Sequence, residues 1–238
     1  MTEIAENIAQ VRERMEGAAR QAGRSPGKVR LVAVSKTVDL ARIRQAIAAG
    51  VDSLGENYVQ EAQKKIEALG HEVAWHFIGH LQTNKAKVAV RLFDFVHSVD
   101  GLKLAEELSR VALQQGKVLP ILLQINLSRE ESKFGTSEAE VFHLLEQMSR
   151  LQGISVKGLM TMPPFFENPE ESRPYFRALK KLAESVAQEK IPGILLEELS
   201  MGMSNDFEVA IEEGATLVRV GTAIFGPRPI KGTTNHLV

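Results

Sequence analysis

Short apolar runs rich in β-branched residues alternate with helix-like segments about eight times along this chain of 238 residues. The runs indicate strands at 31–36, 51–57, 73–80, 93–100, 118–126, 154–162, 198–204 and 217–225. The segments between them predict helices at 39–49, 58–69, 83–91, 102–115, 137–151, 170–188 and 206–213. An amphipathic stretch at 3–22 predicts one further helix before the first strand. Eight strand–helix repeats at this length are typical of a (β/α)8 barrel.

An open, doubly wound sheet is the alternative architecture for the same alternation. That fold usually places a glycine-rich turn after its first strand. Here the corresponding turn runs from Ser35 to Val38 and contains no glycine. We therefore expect an α/β fold, a (β/α)8 TIM barrel with an extra N-terminal helix, formed by one domain over residues 1–238.

Charge and composition favour a small-molecule partner. The formal net charge is -1, so no strong overall field attracts nucleic acid or a membrane surface. Cysteine is absent, and the N-terminus lacks the basic and apolar regions of a secretory signal. We therefore expect a cytoplasmic protein. We also expect Lys64 and Lys65 to lie on a solvated helix face. His76 and His80 are predicted to lie on one strand, where their spacing does not indicate a metal site.

Lys36 stands at the end of the first apolar run, and Arg219 lies within the last one. A cation beside a buried strand is costly unless another group compensates its charge. Such a lysine can bind phosphate, form an ion pair or act as an amine nucleophile. Because active sites of barrels lie at the carboxyl ends of strands, both residues are candidates for a functional site.

The last two strand ends suggest a phosphate site. The segment 200–206 is a loop of small residues that leads into a helix, and Gly221 and Thr222 follow Arg219. Barrels often hold phosphate in the loops after strands seven and eight, where hydroxyl and N–H groups are available. In a closed barrel the first strand neighbours the eighth, so Lys36 would face a ligand held there. An amine facing a phosphorylated ligand suggests a Schiff base, and pyridoxal 5′-phosphate (PLP) is the cofactor that fits.

The segments 31–36, 55–61, 75–85, 200–206 and 218–226 resemble the pyridoxal phosphate homeostasis protein family. Its single domain is similar to the N-terminal barrel of alanine racemase. The resemblance implies that Lys36 carries PLP as a Schiff base and that Arg219 faces the pyridine nitrogen. It implies phosphate contacts from Ser200, Ser204, Gly221 and Thr222. It also implies that Asn57 lies beside the cofactor, with His80 and Met203 as further contacts.

The family resemblance also implies a function without an established reaction. We expect a carrier or buffer that binds PLP and delivers it to PLP-dependent apoenzymes. In alanine racemase the second base comes from a C-terminal β-domain, and this sequence ends at Val238, soon after the eighth strand. We therefore expect an open site and a monomer. A weak amino-acid racemase remains the alternative, and a phosphosugar-metabolising barrel with Lys36 as the Schiff-base lysine is a third possibility.

Overall fold

Eight parallel strands close into a barrel in chain order in the computed structural model, which describes residues 2–128 and 134–227. This confirms the predicted (β/α)8 architecture. Both ends of the predicted domain 1–238 lie outside the described residues. The strands are β1 (Arg30–Val34), β2 (Ser53–Glu56), β3 (Ala74–Phe77), β4 (Phe95–Val99), β5 (Leu119–Ile125), β6 (Ile154–Thr161), β7 (Glu198–Met203) and β8 (Leu217–Val220).

Helices follow the strands on the outside of the barrel. They are α1 (Glu3–Gln21), α2 (Leu40–Ala48), α3 (Val59–Leu69), α4 (Ala86–Leu92), α5 (Leu102–Gln114), α6 (Val141–Met148), α7 (Arg173–Glu189), α8 (Phe207–Glu212) and α9 (Thr222–Phe225). Each of the helices α4, α6 and α7 is directly preceded by its own short 3-10 helix. Within the part of the chain that the structure describes, no helix is long and apolar enough to cross a membrane.

Helix α1 occupies a place in the outer layer between α8 and α2. Its buried stripe contains Ile4, Ile8, Val11 and Met15, as the helical spacing predicts. Thr2 caps its N-terminus by accepting a hydrogen bond from the Ala5 N–H. Helix α9, which follows β8, has four residues. The N-terminal helix therefore fills the position that a full helix after β8 would take.

Side chains alternate between the barrel interior and the layer under the helices. Val32, Phe95, Leu122, Met160 and Leu217 form a small apolar cluster in the interior. Their strand neighbours, such as Ala33 and Val218, belong to the larger core shared with the helices. Because alternate residues share a face of a strand, Arg219 points inward like Leu217. The same alternation places Val34, and beyond it Lys36, on the inward side of the first strand.

The eighth strand is shorter than the sequence pattern predicted. It ends at Val220, and Thr222–Phe225 forms α9 instead of continuing the predicted strand 217–225. A short apolar run is compatible with either element, because periodicity cannot distinguish them over four residues. The third strand also ends early, at Phe77, so His80 follows β3 and does not lie on it. The first strand ends at Val34, two residues before Lys36.

Candidate functional site

A cavity of about 230 Å³ opens at the carboxyl ends of the strands. Its walls come from the ends of β1, β2, β7 and β8 and from the loop after β6. Seven of the nine predicted site residues line it, namely Lys36, Asn57, Met203, Ser204, Arg219, Gly221 and Thr222. Ser200 and His80 are not among the lining residues. The topology of the barrel thus brings together residues that are almost 190 positions apart in the sequence.

Lys36 is half-buried in a turn directly after β1. The Val38 N–H donates to the Ser35 carbonyl across 3.0 Å and closes this turn. Strand β1 pairs with β8 through the contacts Val32–Arg219 and Ala33–Val220. The two cationic side chains of the site therefore come from neighbouring strands and face one cavity.

A buried ion cluster lies behind the turn that carries Lys36. The ammonium group of Lys65 donates to Glu56 at 2.8 Å, Glu61 at 2.6 Å and the Ser35 carbonyl at 2.6 Å. The Lys65 side chain is only 7% exposed, so the prediction that it lies on a solvated face was wrong. Lys64 is exposed, as predicted. Burial raises the pKa of Glu56, and the charge of Lys65 partly opposes this rise.

Arg219 is a buried cation in the barrel interior. One guanidinium nitrogen donates to the Ser200 hydroxyl at 2.5 Å and another to the Thr161 carbonyl at 3.0 Å. Burial lowers the pKa of Arg219 to about 10, and the charge of Asp206 partly opposes this shift. A guanidinium with that pKa is still protonated near neutral pH, so Arg219 can only donate hydrogen bonds.

Ser200 occupies a different place from the one predicted for a phosphate contact. Its side chain is fully buried between Arg219 and His97, whose Nδ1 lies 3.0 Å from the Ser200 oxygen. Nε2 of His97 in turn lies 3.0 Å from Nδ1 of His76. The geometry therefore makes Ser200 a support for Arg219 below the cavity.

The two histidines form a buried polar pair that the sequence did not indicate. Burial lowers the pKa of His97 well below its ordinary value, and the positive charge of Arg219 acts in the same direction. Burial, followed by the charge of Arg30, lowers the pKa of His76 to about 4. Both rings are therefore neutral at neutral pH. The pattern of strand β4 gave no signal for this role, because a single histidine in an apolar run is compatible with many environments.

The loop after β7 and the start of α9 meet at a cluster of hydrogen-bonding groups, the Ser204 cradle. The Ser204 hydroxyl oxygen accepts hydrogen bonds from the Gly221 N–H at 3.1 Å and the Ala223 N–H at 3.3 Å. An oxygen atom thus already occupies the position where two backbone donors converge. Asp206 fixes the loop, since its carboxylate accepts from the Met203 N–H at 2.7 Å and the Ser172 hydroxyl at 2.9 Å.

Two glycines allow this close packing of backbone segments. Gly202 has φ of +90°, and a Cβ atom there would lie 2.6 Å from the Ala210 side chain. Gly221 lies against β1, where an added Cβ would be 3.3 Å from the Val34 side chain. The end of β8 can therefore approach β1 closely, which brings the cradle near Lys36.

Asn57 and His80 lie on the side of the cavity towards β3. Oδ1 of Asn57 is buried and has no hydrogen-bond partner within the described structure. His80 lies in a neighbouring depression beside Tyr58 and Lys85. Its ring stacks on Phe134 at 3.7 Å, and its Nδ1 lies 3.5 Å from Asp100. The structure therefore places His80 on the rim of the barrel mouth, outside the cavity itself.

An apolar wall after β6 was not predicted from the sequence. Met162, Pro164, Phe165 and Phe166 line the cavity opposite the strand ends. Phe165 is 77% exposed and leaves this wall open to solvent. The described residues contain no group of three or more histidine, aspartate or glutamate side chains placed to hold a metal ion. The available chemistry is therefore an amine, a buried guanidinium, backbone and hydroxyl donors, and an apolar wall.

Comparison with known proteins shows the family to which the chain belongs. The model of the family described as alanine racemase, N-terminal domain, matches residues 2–229. The chain therefore belongs to the class of proteins with an alanine racemase N-terminal domain. Within that class it belongs to the family of pyridoxal phosphate homeostasis proteins. The protein of that name from Aquifex aeolicus is 44% identical over 94% of this chain and 97% of its own length. The one from Escherichia coli K12 is 42% identical over 96% of this chain and 98% of its own length.

Solved structures show the same fold. PipY of Synechococcus elongatus, determined with PLP bound, is 40% identical and superposes with a TM-score of 0.83 over 94% of this chain and 100% of that chain. Alanine racemase from Corynebacterium glutamicum is 16% identical, with a TM-score of 0.69 over 99% of this chain and 64% of that one. The racemase similarity shows the barrel fold alone.

Proposed function

We propose that this protein binds PLP as a Schiff base on Lys36 and acts in PLP homeostasis as a carrier or buffer. The observation that carries the proposal is the shared cavity of Lys36, Arg219 and the Ser204 cradle. PLP combines an aldehyde, a ring nitrogen and a phosphate, and the cavity offers an amine, a cation and clustered donors. The homeostasis proteins of high identity and the PLP-bound relative support the same assignment.

The residues of the cavity fit this cofactor. Ser204, Gly221 and Thr222 would hold the phosphate, because the Ser204 oxygen marks a position where two N–H donors already meet an oxygen. Asn57 has a buried acceptor without a partner among the described residues, and it would take a donor from the ligand. Met203 and the apolar wall after β6 would cover the ring. Lys36 would supply the amine whose Nζ condenses with the aldehyde carbon, with loss of one water molecule.

Arg219 would face the pyridine nitrogen. PLP supplies an electron sink whose strength depends on protonation of that nitrogen. Because a guanidinium has no lone pair available to accept a proton, Arg219 would donate to that nitrogen and would leave it unprotonated. The buried guanidinium has no carboxylate bonded to it in the described structure, where its partners are Ser200 and the Thr161 carbonyl. This electrostatic setting favours reversible storage over carbanion chemistry.

The titratable side chains among the described lining residues are Lys36, Asp206 and Arg219. The Asp206 carboxylate is already engaged by Ser172 and the Met203 N–H, and Arg219 cannot accept a proton. Racemisation needs proton-transfer groups on both faces of the substrate. The cavity therefore supports binding and release better than the racemase alternative.

The test is to load the purified protein with PLP, reduce it with borohydride and map the modified lysine by mass spectrometry. We expect visible absorbance before reduction and a label on Lys36. Lys36→Ala should lose both signals, whereas the rim variant Lys85→Ala should keep them. Transfer is tested by mixing loaded protein with the apo form of a PLP enzyme and measuring recovered activity. A label on another lysine, or robust amino-acid turnover that requires Lys36, would contradict the carrier proposal.

A further inference from the structure

The turn that holds Lys36 contains an unfavourable backbone conformation. Thr37 has φ of +63°, a left-handed value that is costly for a β-branched residue. Strain of this kind persists when surrounding contacts determine the conformation, and it occurs often at functional sites. The contacts that hold this turn are therefore candidates for controlling where the amine lies.

The main-chain groups on both sides of Lys36 are bound from helix α3. The Thr37 N–H donates to the Glu61 carboxylate at 2.6 Å. The Ser35 carbonyl accepts from the Lys65 ammonium at 2.6 Å. Lys65 also donates to the same Glu61 oxygen, since the two residues are four positions apart on one helix face. One ion pair thus holds the residue before Lys36 and the residue after it.

Glu56 fixes the ion pair against the barrel wall. It lies at the end of β2, the neighbour of β1, and its carboxylate accepts from Lys65 at 2.8 Å and from the Ser35 hydroxyl at 2.6 Å. The three protons of the Lys65 ammonium therefore have three oxygen partners. A buried ion pair is by itself weak evidence for stabilisation of a fold. Because this ion pair binds both residues that flank Lys36, its role is to hold the turn that carries Lys36.

We propose that Glu61 is a positioning residue for Lys36: its carboxylate, oriented by Lys65, fixes Thr37 in the left-handed conformation that directs the amine into the cavity. This inference depends on the proposed Schiff base at Lys36. The Glu61 side chain is 27% exposed, and its removal leaves the Lys65–Glu56 pair in place. The variant Glu61→Ala should therefore fold and lose the contact to Thr37.

The experiment measures the second-order rate constant for capture of PLP by Lys36, with borohydride trapping to confirm the site. We expect Glu61→Ala to slow capture at least tenfold. Glu61→Gln should recover most of the rate, because its amide oxygen can still accept from the Thr37 N–H. Glu67→Ala is the matched control: it lies on the same helix, is exposed and contacts Gln63. It should capture PLP at the parent rate.

A second readout uses the unloaded protein. Hydrogen exchange of the Thr37 and Val38 amides should accelerate at least tenfold in Glu61→Ala and remain unchanged in Glu67→Ala. The double variant Glu56→Gln/Lys65→Met removes two buried charges together and should also slow capture. Parent-like capture by Glu61→Ala, with its Thr37 amide exchanging freely, would overturn the positioning role. Failure of the parent chain to label at Lys36 would instead overturn the proposed function.

Discussion

Nη1 of Arg219 donates a hydrogen bond to the Ser200 oxygen across 2.5 Å in the barrel interior. This bond connects Arg219 to a buried polar chain beneath it. The Ser200 oxygen also lies 3.0 Å from Nδ1 of His97, and Nε2 of His97 lies 3.0 Å from Nδ1 of His76. A cation in the cavity floor is therefore held by a chain of uncharged groups, each of which orients the next.

Removal of the Ser200 hydroxyl should weaken this chain. Ser200→Ala leaves a buried guanidinium N–H without its acceptor, and such a loss costs roughly 1–3 kcal/mol of unfolding free energy. Urea denaturation of the two proteins at neutral pH measures the difference. Ser185→Ala is the control and should be nearly neutral, because Ser185 is exposed and its hydroxyl donates to the carbonyl of Lys181 in the same helix. A Ser200 variant as stable as this control would show that Arg219 does not depend on the bond.

The neutral histidine pair predicts acid sensitivity. The pKa of His76 is lowered in the folded state to about 4, whereas the unfolded chain binds the proton near the ordinary value of 6.5. The unfolded state therefore binds more protons between these values. Stability is full above about pH 6.5 and decreases as the pH falls towards about 4, by roughly 3 kcal/mol for His76.

The measurement compares unfolding free energies from pH 7 to pH 4 in the parent and in His76→Asn. The asparagine amide can replace Nδ1 as either donor or acceptor but does not titrate, so the slope of unfolding free energy against pH should become shallower. His143→Gln changes an exposed histidine and should keep the parent slope. Parallel profiles for the parent and His76→Asn would contradict the assignment of this acid sensitivity to the buried ring.

Local patterns in the sequence predicted much of the fold but less of the site. The strand count, the inward Lys36 and the loops after β7 and β8 follow from patterns within single segments. The contacts of His97 with His76 and Ser200 join three strands, and they depend on barrel closure and strand register. The adjacent pair Lys64 and Lys65 predicts a solvated helix face for both residues, and the structure shows this for Lys64 alone. The burial of Lys65 depends on Glu56 at the end of β2, and helical spacing alone does not show that contact.

Lys65 should contribute to stability through the charges that it compensates. Lys65→Met leaves the buried carboxylate of Glu56 without its cation, and breaking a buried pair in this way costs roughly 3–5 kcal/mol. Thermal or urea unfolding tests this value. Lys64→Met changes the adjacent exposed lysine and should alter stability by less than about 0.5 kcal/mol. Equal effects of the two substitutions would contradict the buried pairing.

Alanine substitution should lower the stability of the protein at Gly202 and raise it at Gly17. At Gly202 the left-handed φ and the contact with Ala210 both oppose a Cβ atom. Gly202→Ala should therefore destabilise the protein by more than about 1 kcal/mol and distort the Ser204 cradle. Gly17 lies inside α1 with no atom near an added Cβ, so Gly17→Ala should stabilise by about 0.5–1 kcal/mol. Denaturation midpoints of the two variants provide the comparison.

Ser204 should act on the phosphate of the ligand and not on its aldehyde. The hydroxyl meets the Gly221 and Ala223 N–H groups at the proposed phosphate position. Ser204→Ala removes one hydrogen-bonding group to a charged ligand, which corresponds to roughly a tenfold loss of affinity for PLP. The variant should bind pyridoxal, which lacks the phosphate, as the parent does. Equilibrium absorbance titrations measure the affinity of each variant for PLP and for pyridoxal. An equal loss of affinity for both aldehydes would place Ser204 away from the phosphate.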